Sequence, residues 1–339
     1  MRILFYYNGF ANTTQNCAGT AMMVRSMAVE IAKKYDVTIS GDFVRETETL
    51  GKVLIVPLPK EEFISDFCLC FDIVIFCNSF MPVVGMKKSK YQAWILYHHC
   101  WGMHPTEAQE SGKYNRIVAL SGLHRENLLK LKVKPGVSVV SNFVDSGNIK
   151  PVPSKREENW ILYAGQLAQH KNVDMLLDAY ALLRRHSPKV QLHVCGEAHF
   201  SMQNDAYISK IMRDMQRNGV VYHGLVDNAD MSVMYSKASV LCLPSTVESF
   251  GLVTIEAQTC GCIPVISNRC GMPVTVNDGV TGFLFNPDSY YILSNALSHA
   301  LQRAKAKPQM RDDAKKFVAE RFSKEKSVAE FIKVIEGVS

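Results

Sequence analysis

Between Pro244 and Gly261 the chain reads PSTVESFGLVTIEAQTCG, with Glu248 and Glu256 eight residues apart and Ser249-Phe250-Gly251 directly after the first. Two carboxylates can act as acid and base across a scissile bond, but that chemistry needs them to face each other. The apolar spacing here predicts a helix starting near Phe250, which puts Glu248 in the preceding loop and Glu256 about two turns inside the helix. Two carboxylates so placed suit separate ends of one elongated ligand. The helix start aims free backbone N–H groups at the preceding strand end, an arrangement that attracts phosphate. Gly251 lacks a Cβ and lets a ligand approach the backbone closely. A cap and a helix-surface glutamate are the structural alternative for such a pair.

The elements that must position these residues follow a repeating rhythm. RILFYY, YDVTIS, KVLIVPL, FDIVIFC, AWILYHH, NRIVAL and VSVVSN read as strands, several of them continuous apolar runs suited to parallel strands buried on both faces. AGTAMMVRSMAVEIAKK has helical spacing after the first strand, the βαβ pattern of a doubly wound sheet. DSGNIKPVPSKREENW breaks the pattern and reads as a linker. A second series of strands and helices follows, and the last stretch predicts helices at 288–305, 309–321 and 324–336. A chain of 339 residues is long for one core and suits two domains. The expected division is 1–150 and 151–322, with a ligand in the crevice at the strands' carboxyl ends.

Composition excludes several classes. Apolar content of 47% and a charged fraction of 21% fit a globular chain, and no apolar run approaches a membrane span. MRILFYYNGF reads as a first buried strand, too short in its apolar run for a signal peptide. The ten cysteines include no Cys-x-x-Cys pair, the nearest being Cys68/Cys70 and Cys260/Cys262, and read as reduced, mostly buried side chains of a cytoplasmic protein. Net charge is +6, and residues 80–135 alone hold nine Lys/Arg against three acids. That stretch is a solvated basic face, or it meets an anionic membrane surface or a diphosphate-bearing acceptor. MPVVGMKKSK and LLKLKVKP mix apolar residues with lysines, as shallow interfacial docking requires. Nucleic acid is disfavoured, because the stretch has no reader motif and no aromatic interleaving.

PSTVESFGLVTIEAQTCG resembles the E-x7-E segment of the family 4 retaining glycosyltransferases, which have the GT-B fold: α/β, two doubly wound Rossmann-like domains facing a central cleft. The resemblance implies that Glu248 contacts the donor sugar. It implies that Phe250, Gly251 and Leu252 supply backbone donors, with Ser249 beside them, and that Glu256 binds the nucleotide ribose. ILYAGQLAQHKNVDMLLDAY looks like the family's strand–loop–helix, with Lys171 on the diphosphate and Gln166 where Arg is usual. That departure leaves a hydrogen-bonding amide without a charge. Gly196 matches the glycine ending the next strand. VVYHGLVDNADMSVMYSKASV is similar to the base-reading segment, and NRCGMPVTVNDGVTGFLFNP to the following Gly-Gly stretch, with Cys270-Gly271 for the glycines and Val274 where Glu is frequent. The N-terminal half is looser: Ala18-Gly19 stands for Gly-Gly, which places Gly19 at the donor, and Phe143 replaces Gly in VVSNFVD. His98 and His99 end the strand of ILYHHCWG, where one family histidine touches the donor sugar and shapes the acceptor site; the sequence leaves open which of the two corresponds.

The resemblance implies a retaining transferase forming an α-linkage. The C-terminal domain would bind a nucleotide sugar, and the N-terminal domain the acceptor, with a returning helix at about 323–339. The reading favours a UDP-sugar, an N-acetylhexosamine donor such as UDP-GalNAc, and a polyprenyl-diphosphate-linked saccharide acceptor of bacterial O-antigen or surface polysaccharide. No cofactor and no metal are expected: Asp227 and Asp230 lack Asp-x-Asp spacing, and helix dipoles with cations can neutralise a diphosphate. The protein would be cytoplasmic and peripheral at the membrane's inner face. A GT-B nucleotide-sugar epimerase and a non-catalytic nucleotide-sugar binder are the rivals. A Rossmann dehydrogenase is disfavoured, since no Gly-x-Gly-x-x-Gly follows the first strand.

Overall fold

The computed structural model describes residues 1–7, 19–42, 44–77, 86–103, 105–198 and 205–339. The chain divides into two compact units, one of residues 1–142 with 324–339 and the other of 143–323. In the first, β1 (Arg2–Tyr7), α1 (Gly19–Ile31), β2 (Asp36–Gly41), β3 (Glu48–Leu50) and β4 (Val53–Pro57) are followed by α2 (Ile64–Leu69), β5 (Ile73–Cys77), β6 (Ala93–Tyr97), α3 (Pro105–Glu110), β7 (Arg116–Ala119), α4 (Gly122–Lys130) and β8 (Gly136–Val139). They build an eight-stranded sheet in the order β3-β4-β2-β1-β5-β6-β7-β8. It is parallel except for the short β3, which pairs antiparallel with β4. The apolar runs that predicted strands are buried on both faces here: β1 after Arg2, β5 and β6 are buried throughout.

The second unit contains β9 (Glu157–Ala164), α5 (Val173–His186), β10 (Gln191–Cys195), α6 (Asp205–Arg217), β11 (Val221–Gly224), α7 (Asn228–Lys237), β12 (Ala238–Leu243), α8 (Leu252–Thr259), β13 (Ile263–Ser267), β14 (Phe283–Phe285), α9 (Tyr290–Ala306) and α10 (Gln309–Arg321). Its six strands run β11-β10-β9-β12-β13-β14, all parallel. Strand β9 feeds both faces: Ile161 and Tyr163 pack with α5 and α9, whereas Leu162 and Ala164 pack with Met231 and Tyr235 of α7. The chain order reverses between β9 and β12. In a doubly wound sheet the crevice outside the strands' carboxyl ends at that reversal is where ligands bind. The final helix α11 (Lys324–Glu336) returns to the first unit, where Phe331 stacks on Phe5 and meets Tyr97 edge-on.

The segment that read as a linker is part of the second unit. Ile149 is buried, the Val152 amide donates to Ser236 Oγ (2.9 Å), and Arg156 donates to the carbonyls of Tyr235, Ala238 and Cys260. Side chain-to-backbone hydrogen bonds absorb its polarity, so the break in hydrophobic pattern does not mark a free tether. The division accordingly falls at 142/143 and not near residue 150.

Candidate functional site

At the chain reversal of the second sheet, the loop after β9 and the loop after β12 lie side by side. The Thr246 amide and hydroxyl both donate to the His170 carbonyl, at 2.8 and 3.1 Å. The Asn172 side chain donates to the Pro244 carbonyl at 3.3 Å. Asn172 itself adopts φ +57, which turns the chain from a short 3-10 turn (Gln169–Lys171) into α5. This clasp brings Lys171 Nζ onto Glu248 Oε2, and the two side chains are 17% and 19% exposed. Two residues chosen separately from the sequence thus form one ion pair, sequestered but reachable. Desolvation, reinforced by Lys171, holds the neighbouring His170 imidazole below its ordinary pKa.

Helix α8 begins at Leu252, two residues later than its spacing predicts, because Gly251 caps it at φ +87. Phe250 is buried edge-on against Phe322, so only its backbone is available to a ligand. The Ser245 hydroxyl in the same loop is fully buried with no hydrogen-bond partner among the described residues. Glu256 lies in the second turn of α8, half-buried, and accepts from the Tyr235 hydroxyl at 3.0 Å. Desolvation pushes its carboxyl up to about 7, opposed by that hydrogen bond. Glu248 and Glu256 therefore occupy different environments, one balanced by a cation and one by a phenol.

Two glycines are required by packing. Gly271 donates to the Glu248 carbonyl (2.9 Å), and a Cβ there would sit 1.8 Å from the Ser249 carbonyl oxygen. At Gly196 a Cβ would sit 1.8 Å from the Gly165 carbonyl oxygen, while its amide donates to Gly224 (2.7 Å). Strand-end packing alone accounts for Gly196. Gln166 is half-buried beside Lys171's turn, and its carbonyl accepts from Tyr163 (2.7 Å).

The remaining candidates belong to the first unit. His98 and His99 follow β6 at its carboxyl end and are 3% and 6% exposed. His98 Nε2 lies 3.1 Å from the Gly102 carbonyl, so the neutral ring donates there. His99 packs on Tyr97. His124 of α4 joins them, its ring 5.4 Å from that of His98, with Nδ1 accepting the Leu120 amide at 3.1 Å. Burial lowers all three, to about 4, 3 and 3, so they are neutral imidazoles. Gly19 opens α1, but the loop before it, including Ala18, lies outside the described residues. The lysines of the basic stretch do not join the histidines: they sit at the opposite, amino ends of β6–β8.

Residues 146–321 match the sequence profile of the family described as glycosyl transferases group 1, which covers more than half of the chain. The chain belongs to that family. An uncharacterised 41.2 kDa protein from the cps region of Klebsiella pneumoniae is 28% identical over 185 residues, 54% of this chain and 48% of that protein. The Escherichia coli O-antigen chain mannosyltransferase B is 26% identical over 208 residues, 58% of this chain and 53% of that enzyme. The matches thus span about half the length of these relatives. Anabaena HepE, solved with UDP-glucose, superposes with a TM-score of 0.79 at 15% identity, over 99% of this chain and 100% of that one. The two parallel-sheet units are those of the GT-B fold.

The family-matched segment holds Lys171, Glu248, Glu256 and Gly271. It also holds Tyr235 and Ser245, which sequence reasoning did not single out. Tyr235 has one weak sequence signal: it is a buried aromatic of α7, the helix that runs directly into β12, the strand before the paired carboxylates. His124, outside the match, has none, being a single histidine in a short polar helix.

Proposed function

We propose that this chain is a retaining glycosyltransferase that moves a sugar from a nucleotide donor to a hydroxyl of a saccharide acceptor, forming an α-linkage. The observation that carries the reading is the Lys171–Glu248 pair at the chain reversal, with Glu256 in the helix that begins beside it. The nucleotide ribose would hydrogen-bond to Glu256, and the sugar to Glu248. Donor entry would give Lys171 a diphosphate to neutralise in addition to the carboxylate it already holds. The start of α8 adds backbone N–H groups at the same anion. As the bond between the anomeric carbon and the diphosphate oxygen breaks, the acceptor oxygen bonds to that carbon on the same face. The acceptor's proton passes to the departing phosphate oxygen, so no side-chain base is needed. The residues present provide the charge compensation, and we propose that the reaction is metal-independent.

The donor we propose is a UDP-sugar, of which an N-acetylhexosamine such as UDP-GalNAc is the specific reading. The HepE complex with UDP-glucose supports the nucleotide, and the relatives named for a cps region and for an O-antigen chain support surface polysaccharide as the setting. The acceptor is a polyprenyl-diphosphate-linked saccharide, shaped in part by His98 and His99, and the enzyme works in the cytoplasm in peripheral contact with the membrane. Among the described residues no helix is long and apolar enough to cross a membrane. A thermal-shift screen of UDP-, GDP- and ADP-sugars ranks the donors, since a ligand bound to the folded state raises apparent stability. With the best donor, Glu256→Ala raises KM and Glu248→Ala lowers kcat. Full activity in both variants refutes the assignment; conversion of the nucleotide sugar with no acceptor present identifies an epimerase, and binding without any turnover or hydrolysis a binding protein.

A further inference from the structure

The first unit carries a basic rim remote from its histidines. Strands β5–β8 are parallel, so the segments preceding them, 67–72, 86–92, 111–115 and 130–135, meet along one edge of the sheet. Side chains stitch them together. Gln92 Nε2 donates to the carbonyls of Cys68 (2.6 Å) and Phe71 (2.9 Å). Lys88 Nζ donates to the Lys113 carbonyl (3.0 Å) and to Asn115, and the Lys134 amide to Ser111 Oγ (3.0 Å).

This framed edge presents Lys87, Lys88, Lys90, Lys113, Arg116, Lys130, Lys132 and Lys134, and residues 86–92, 111–116 and 129–136 contain no Asp or Glu; of the acids next to them, Glu110 pairs with Lys113 and Asp72 with Arg2. Set among these cations are apolar side chains left in solvent: Leu69 at 40%, Tyr91 at 83%, Leu129 at 44% and Leu131 at 37% exposure. We infer that this rim docks on an anionic phospholipid bilayer. The charge is complementary, and seven of the eight cations are lysines, compact point charges that suit a diffuse anionic surface better than a planar fork-like site. The leucines and the tyrosine are of the types that enter the headgroup boundary. A nucleic acid would leave the leucines unused and finds, among the described residues of the rim, one exposed aromatic for stacking.

The inference deepens the membrane contact proposed above and names its face. Strands of this length put the rim roughly 17 Å from the carboxyl ends where His98 and His99 lie, so the bilayer touches the edge opposite the imidazoles.

The test is co-sedimentation of the full chain with phosphatidylglycerol-containing vesicles and with pure phosphatidylcholine vesicles. Binding is expected to anionic vesicles alone and to weaken as salt rises. The K87E/K90E/K130E variant changes three exposed lysines outside the stitching and is expected to lose at least roughly hundredfold in affinity, at about fivefold per basic side chain. A control with the same charge change on the second unit, K189E/R213E/K307E, is expected to bind as the unaltered chain does. Equal binding to both vesicle types overturns the inference, as does a rim variant that still binds or a control that loses as much. Binding to duplex RNA or DNA without binding to vesicles also overturns it. Donor binding measured without vesicles reports separately on the transferase reading and is expected to be unchanged in the rim variant.

Discussion

Substituting Gly271 by alanine isolates how the second unit holds Glu248. Gly271 has φ −83, a conformation any L-residue adopts, so the substitution brings no backbone strain. The added Cβ would lie 1.8 Å from the Ser249 carbonyl oxygen, 2.5 Å from its carbon and 3.2 Å from the Glu248 carbonyl oxygen. Ordinary contact needs well over 3 Å, so the 248–249 loop must retreat by more than an ångström. The retreat breaks the 2.9 Å bond from the Gly271 amide to Glu248. Overpacking costs about 1–3 kcal/mol and the lost hydrogen bond about 1 kcal/mol. Together they lower the melting temperature by roughly 4–16 °C in a unit of this size. An ångström of misplacement at a reacting group can cost roughly a hundredfold in rate. Differential scanning fluorimetry and donor hydrolysis read the two effects, and Gly147→Ala is the control, since its Cβ meets only the flexible Asp145 carboxylate at 3.3 Å. If Gly271→Ala keeps both the melting temperature and the turnover of the unaltered chain, the packing of these two loops does not position Glu248.

Gln166→Arg restores a cation beside Lys171 and is expected to tighten UDP binding roughly tenfold, about 1.4 kcal/mol for a charge-assisted hydrogen bond; unchanged affinity by calorimetry places the diphosphate elsewhere. Glu256 titrates at about 7 when folded against 4.5 as a free group, so between those values the folded chain holds a proton that the unfolded chain has released. Stability therefore falls as pH rises from about 4.5 to 7 and levels off above, while nucleotide binding, which in the proposed donor pose uses the ionised carboxylate, is expected to tighten from about pH 6 to 8. Glu256→Gln should flatten both profiles, and a profile that survives the substitution assigns the titration to another group.

Much of the fold is legible in the sequence because parallel strands buried on both faces must be continuously apolar. FDIVIFC and AWILYHH announce β5 and β6 for that reason. The second unit's helices were equally plain where they carry a buried stripe, as α5 does with Val173, Leu176, Leu177, Tyr180 and Leu183. The helices the sequence concealed, α2, α3 and α4, are short, and α4 buries only His124 and Leu128. Its start is set by Ser121 accepting the His124 amide, a signal too local to stand out from the surrounding loops. Strand β3 has three exposed residues and exists because β4 offers it an edge.

For the site, sequence alone singled out Glu248 and Glu256 as candidates and set them apart: helical spacing leaves Glu248 in its loop and puts Glu256 in the second turn of α8. The family resemblance also placed Lys171 in a strand–loop–helix, and it lies in the 3-10 turn that leads into α5. Only the tertiary structure decided that Lys171 and Glu248, 77 residues apart, share one ion pair. The structure likewise decided that Tyr235 holds Glu256, that Gly271 leaves room for Ser249, and that His124 completes the cluster around His98. Each of these contacts joins loops or helices brought together by parallel crossovers. Local propensity fixes the period of a strand or a helix, but which strand ends become neighbours depends on the order in which the whole sheet is wound.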